Sequence, residues 1–394
     1  MLKKELILSL LLFLALSSHQ NIFASQPETS DYLKIGGALR YNTVVENYEN
    51  GISTESIYST MDTWFLSVDG NYSGLDVSFQ YRFYPGSKTH FIHHGYFGYG
   101  WNDNWYAKAG VFQKPFGIGA FASHSWWFQV PYYMGLEDTY NTGLGLEYEK
   151  DKWKFDLAYF RQAAPKGPIG DNTADNAVGN GRFSYAVVPT TGIANGQTLD
   201  ASIRELDQFN LRARYQASEA IELGVSAQLG NLYNSNTKQN NWGFSWAAHS
   251  VIQSGNWNFK GEVIGYDYKA TADNGSKLDV IQMAAYGAAY DVAAQGNIYV
   301  AGLAYTFPID HPLLRSIQPY IDYSVVDKRN ANFADTHHLI PGVLFTVGPT
   351  YIYLDYALGK NQPWLTSQFG KGLGAGDSNA TWNSRLHLNI GYYF

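Results

Sequence analysis

The chain closes on Arg385-Leu386-His387-Leu388-Asn389-Ile390-Gly391-Tyr392-Tyr393-Phe394. At a period of two, Leu386, Leu388, Ile390, Tyr392 and Phe394 share one face. Arg385, His387, Asn389, Gly391 and Tyr393 share the other. The first face is wholly apolar and ends in aromatics. The second is polar apart from its last residues. Such a strand separates lipid from water. As an open edge it would invite aggregation, and a closed barrel removes that edge by pairing the last strand with the first.

Working back from this strand, Leu75, Val77, Phe79, Tyr81 and Phe83 alternate with Asp76, Ser78, Gln80 and Arg82, the cleanest alternation in the chain. Comparable segments recur from Leu33 onward, joined in turn by tight turns and longer polar loops. They predict a transmembrane antiparallel β-barrel of about 16 strands with short periplasmic turns and long outer loops. The Ala-rich segment Val280–Ala289 alternates poorly and is expected as a short helix in a surface loop. An even strand number also argues against counting it in the barrel. The longest loop is expected over residues 162–204.

Composition agrees with this picture. Aromatics make up 16% of the chain, with 31 Tyr and 39 Gly, while mean hydropathy is only −0.27. A polar lumen lowers the average while aromatic girdles raise Tyr, Trp and Phe. Net charge is −7, which argues against nucleic acid as a partner. There is no cysteine, hence no disulfide framework and no thiolate chemistry. Lys3 and Lys4 precede an apolar run from Leu6 to Leu16 and the small-residue site Ile22-Phe23-Ala24. This pattern predicts a signal peptide over residues 1–24, leaving one barrel domain over 25–394.

In a barrel of this size the lumen holds water, so function depends on what lines and narrows it. Alternation places Lys34, Arg40, Arg82, Lys108, Lys154, Arg212, Arg214, Lys260 and Arg385 inward. Inward acids are Asp76, Glu147, Glu149, Asp156, Glu222, Glu262 and Asp322. Arg212 and Arg214 face the same way; unpaired, they would make an anion-drawing strip, whereas cross-strand pairing would give a neutralised wall. Pro115 and Gly117 take the chain out of the ladder into residues 114–139, which hold Lys114, Phe116, His124, Trp126, Trp127, Tyr132, Tyr133, Glu137 and Asp138. So aromatic a loop is buried either by folding inward, as a constriction, or against a neighbouring subunit. Its rings could also stack on sugars.

Catalytic signatures are lacking: no Gly-x-Ser-x-Gly, His-Glu-x-x-His or phosphate-cradling loop occurs. His93-His94 and His337-His338 are adjacent, so on regular strands each pair would point to opposite faces, unsuited to a shared metal. No cofactor or metal is expected.

The last strand resembles the carboxy-terminal signature of bacterial outer-membrane barrels, with Phe394, Tyr392 and Ile390 as the residues read by the barrel-insertion machinery. Gly110-Val111-Phe112-Gln113-Lys114-Pro115-Phe116-Gly117 resembles a motif of the phosphate-selective (O/P-type) porin family. Together these liken the chain to trimeric Gram-negative porins of 16 strands. The resemblance implies an outer-membrane location amid lipid and lipopolysaccharide, a homotrimer, and passive diffusion of small hydrophilic solutes. It also implies residues 114–139 as the constriction, facing Arg82, Arg212 and Arg214. The loop's Glu137 and Asp138 depart from a phosphate-selective pattern. A solute-selective channel, for anions, phosphate or sugar, remains an alternative, and a barrel enzyme a remote one.

Overall fold

The computed structural model describes residues 31–48, 56–119, 121–167, 181–366 and 369–394. The expected signal peptide lies outside them. In chain order the strands are β1 (Tyr32–Glu46), β2 (Ile57–Tyr72), β3 (Leu75–Tyr84), β4 (Thr89–Gly100), β5 (Trp105–Gln113), β6 (Tyr140–Lys150) and β7 (Trp153–Ala163). Three short strands follow: β8 (Ala186–Val187), β9 (Thr190–Ala194) and β10 (Gln197–Ala201). Then come β11 (Ile203–Ser218), β12 (Ile221–Asn234), β13 (Trp242–Ser254), β14 (Trp257–Asp267), β15 (Val280–Ala285) and β16 (Ala288–Ala293). The chain ends with β17 (Gln295–Tyr305), β18 (Phe307–Pro308), β19 (Leu314–Lys328), β20 (Thr336–Val347), β21 (Thr350–Lys360) and β22 (Asn383–Tyr393).

Sixteen of these form one closed antiparallel barrel: β1–β7, β11–β14, β17 and β19–β22. Closure is made by the first and last strands, in register from Ala38 opposite Tyr393 to Glu46 opposite Arg385. No ladder edge is left open, which is what lipid demands of strands. The two-residue β18 adds to the rim beside β19. Among the described residues the one α-helix is the single turn α1 (Val130–Tyr133).

Alternation was a reliable guide to which way side chains point. Leu39, Leu157, Leu211, Val225, Phe244 and Tyr392 are exposed on the outer face, and Asn210, Ser226, Gln228, Asp322 and Asn389 are buried on the inner one. Aromatic pairs gather at the short-turn end: Trp101 stacks on Trp105, and Trp153 and Trp257 lie beside Tyr215 and Tyr305. Amphipathic rings suit a membrane–water boundary.

Three expectations fail. Val280–Ala289 is not a helix: β15 and β16 form a hairpin in register from Val280 opposite Ala293 to Ala285 opposite Ala288. Its residues are buried on both faces, so alternation is erased and the pattern reads as helical. The hairpin joins β8, β9 and β10 in a second, five-stranded sheet built from long loops. Residues 186–201, expected as loop, thus carry three strands.

His93 and His94 also depart from expectation. The register of β3 against β4 slips between Gln80 and Tyr81, a bulge that adds a residue to β4. Both rings turn inward, with their Nδ1 atoms 2.9 Å apart.

Candidate functional site: a loop across the lumen

The segment between β5 and β6 enters the barrel. Gly117 and Gly119 make that entry possible: both have positive φ, 62° and 92°. A Cβ at Gly117 would stand 2.1 Å from Glu262 Oε1, and one at Gly119 2.6 Å from Arg212 Nη1.

The segment is held to the far wall by its own backbone. Gly117 N donates to Ser226 Oγ at 3.1 Å and Ile118 N to Glu262 Oε1 at 3.2 Å. His124 N and Ser125 N donate to Asp322 Oδ2 at 2.7 and 2.9 Å. Trp126 N and Trp127 N reach Asp355 Oδ2 at 3.0 and 3.3 Å, and Val130 N reaches Ser324 Oγ at 3.1 Å. In return Lys260 Nζ donates to the carbonyls of Phe121 and Ser123, both at 2.9 Å. The His124 ring spans Asp322 Oδ1 and Asn258 Oδ1, each 2.7 Å away. Three carboxylates on β14, β19 and β21 therefore serve as acceptors for a loop rather than as free charges.

The loop's own charges are turned away from open water. Lys114 Nζ donates to Gly135 O at 2.9 Å, Glu137 accepts Ala122 N at 2.7 Å, and Asp138 accepts Gln113 Nε2 at 2.7 Å. All three are buried. Burial lowers the Lys114 ammonium from its usual range. Burial also pushes the Glu137 carboxyl well above its usual value, opposed by the Ala122 N–H. The folded state therefore binds a proton that the unfolded chain releases as pH rises past about 4.5. Stability falls over the range above that value. Glu137→Gln cannot titrate, so its advantage over wild type should grow from pH 4 to pH 9. The thermal midpoint of the folded electrophoretic form checks this.

The aromatics pack upward against the five-stranded sheet. Tyr132 OH lies 2.5 Å from Tyr286 OH and donates to Phe183 O at 3.1 Å, while Tyr290 OH bonds Tyr133 O. Phe128 stacks on Tyr132 with centroids 3.8 Å apart. Phe116, Trp127, Tyr132 and Tyr133 are buried with Phe183, Tyr185 and Tyr290 in one cluster. Of the two ways to bury this loop, folding inward is the one the fold adopts.

The wall bases are largely matched. Arg212 Nε and Arg214 Nη2 both bond Asp156 Oδ2, at 2.9 and 3.2 Å, so the unpaired strip is not formed. Lys108 pairs with Glu147, Lys154 with Glu149 at 2.8 Å, and Arg385 with Glu46 at 3.2 Å. Arg40 Nε donates to Tyr393 OH at 3.1 Å and lies over the Trp126 ring; Arg82 Nε donates to Gln80 Oε1 at 2.6 Å. Asp156→Asn leaves two guanidinium groups sharing no carboxylate. It should shift the reversal potential in a potassium chloride gradient toward chloride; an unchanged potential would place the pair outside the conducting path.

Asp355 was missed from sequence, although Leu354 and Tyr356 on the outer face put it inward. Phe183, Tyr185, Tyr286 and Tyr290 carried no local signal. Ile390 and Tyr392 face outward on β22, and Phe394 exchanges backbone bonds with Gly37. Among the described residues, no three His, Asp or Glu side chains are grouped to hold a metal ion.

No protein-family profile matches the chain, and no curated protein matches it. Solved structures do. In-vitro folded OmpT of Vibrio cholerae, an outer membrane protein in its trimer form, aligns with a TM-score of 0.55 at 11% identity, over 93% of this chain and 100% of its own. The outer membrane channel DcaP of Acinetobacter baumannii gives 0.54 at 12%, over 94% and 99%. The anion-selective porin of Comamonas acidovorans gives 0.55 at 10%, over 93% and 100%. The chain has the outer-membrane porin fold. At these identities the likeness speaks for the fold; the loop geometry speaks for itself.

Proposed function

We propose that this porin-fold chain is a water-filled outer-membrane channel through which small hydrophilic solutes and ions diffuse, with residues 114–139 as its constriction. One observation carries the reading: a closed 16-stranded barrel pins a loop across its own lumen through Glu262, Asp322 and Asp355. A barrel whose only task was structural would gain nothing from a polar wall, since apolar packing would hold it as well. The trimer form of the Vibrio neighbour supports a homotrimer, and its outer-membrane origin supports that location. The outer face would meet lipid and lipopolysaccharide, and Ile390, Tyr392 and Phe394 would be read by the insertion machinery. Arg40, Arg82, Lys108, Arg212, Arg214, Lys260 and Arg385 are the wall bases of this channel, and no catalytic role is assigned. Liposome swelling tests the reading. Vesicles carrying the protein should admit small sugars and amino acids at rates that fall steeply with solute size. Rates no greater than those of empty vesicles would defeat it.

A further inference from the structure

The charges of the loop and of the wall behind it are taken up mainly by the loop's own backbone, so what the loop leaves wetted is largely apolar. Phe121 is 42% exposed, and Ile118, Trp126 and Phe128 are half-buried, whereas Lys114, Glu137 and Asp138 are buried. Phe121 lies 5.5 Å from Phe128, and Phe128 6.2 Å from Phe183, centroid to centroid. This aromatic stripe runs directly into two guanidinium groups. Arg82 sits 4.7 Å from the Phe183 ring, and Arg40 sits 4.6 Å from the Trp126 ring. Both also flank Phe65, at 5.0 and 5.4 Å, so the two cations share one platform on neighbouring walls. Both are half-buried. The hydrogen bonds of Arg82 Nε and Arg40 Nε run to an amide and a phenol, not to carboxylates. Asp62 interacts electrostatically with Arg40 and, more weakly, with Arg82.

Guanidinium groups set on aromatic rings, with the exposed Phe121 further along the same stripe, make a pairing with a defined complement. Arginine presents a planar donor fork matched to a carboxylate, and an aromatic face takes an apolar body. We propose that this junction is a subsite for small organic anions with an aromatic or similarly flat apolar body. The carboxylate would engage Arg82 and Arg40, and the ring would lie on Phe121 and Phe128. A fully hydrated inorganic anion would use only half of the site. So would a neutral aromatic. The proposal rests on the channel reading above and adds the solute class to it.

The test uses the purified full-length barrel and three probes: benzoate, acetate and benzyl alcohol. In planar bilayers, benzoate should reduce potassium chloride conductance at concentrations about tenfold below those of either other probe, a difference of about 1.4 kcal/mol. Arg82→Gln should weaken the benzoate effect at least fivefold and leave the benzyl alcohol effect, which uses no carboxylate, within twofold. Phe121→Ala removes an exposed side chain and keeps the carbonyl that Lys260 holds, so it should bring benzoate close to acetate without releasing the loop. Equal potency of all three probes, or unchanged benzoate potency in both variants, overturns the subsite while leaving the channel intact. If wild type conducts nothing, the channel reading falls. Calorimetry of benzoate with the detergent-solubilised protein then decides the subsite by itself: Arg82-dependent heat of binding keeps it, and none removes it.

Discussion

Replacing Asp322 by alanine is expected to raise single-channel conductance and make it fluctuate. Asp322 accepts two backbone N–H groups of the inner loop and the His124 ring. It is fully buried, so no water stands ready to take its place. Each buried donor left unpaired costs about 1–3 kcal/mol, which is roughly a 5- to 150-fold shift per bond from docked to released loop. The loop is also held by Glu262, Asp355 and Lys260, so it should detach in part rather than leave the barrel. Recordings should therefore show brief, larger openings on an altered base level. Asp322→Asn keeps one acceptor oxygen and should fall between the two. Identical traces for wild type and both variants would mean that the loop does not govern the aperture.

Removing Phe394 has the largest expected effect on assembly. Gly37 N donates to Phe394 O at 2.9 Å, and Phe394 N donates to Gly37 O at 3.1 Å, the last bonds of the closing seam. The Phe394 ring lies over Gly37, where a Cβ would come within 2.8 Å of its Cζ and 2.5 Å of Phe65 O. A glycine is thus needed for the seam to close. Losing two backbone bonds costs about 2 kcal/mol, roughly a 30-fold shift against the closed barrel. In lipid the cost is greater, because no water replaces them. Refolding into detergent without any cellular machinery should already be impaired, and Phe394→Tyr should restore it. Normal refolding of the truncated chain, read by the heat-dependent shift in electrophoretic mobility, would leave Phe394 as a recognition signal alone.

The barrel was legible because each strand meets two different solvents. The stretch over residues 75–83 alternates apolar with polar residues, and β22 closes on β1 as its pattern implied. Legibility stopped wherever both faces of a strand meet protein. The Val280–Ala293 hairpin has buried residues on both faces and none exposed, and looked helical for that reason. The bulge that turns His93 inward is a one-residue event within a strand of ordinary composition.

At the site, parity proposes the wall bases and most of the acids, but it cannot name their partners. Arg212 and Arg214 sit on β11, and the carboxylate that joins them, Asp156, comes from β7. The contact of Tyr132 with Tyr286 spans 154 residues of sequence. The loop's two possible fates differed only in which surface lay nearby, and that is a property of the closed barrel rather than of the loop. Glu262 and Asp322 were placed on the lumen face, yet their work as acceptors for backbone N–H groups depends on where Gly117 and Gly119 let the chain turn.

The most direct measurement exploits the absence of native cysteine. Phe121→Cys puts one thiol on the wetted face of the inner loop. A small charged methanethiosulfonate reagent added during planar-bilayer recording should lower the conductance of each open channel in discrete steps, and a reducing agent should restore it. The cysteine-free parent should not respond. A Phe121→Cys protein that conducts and is modified, yet shows unchanged conductance, would contradict the account by placing residues 114–139 outside the path of ions.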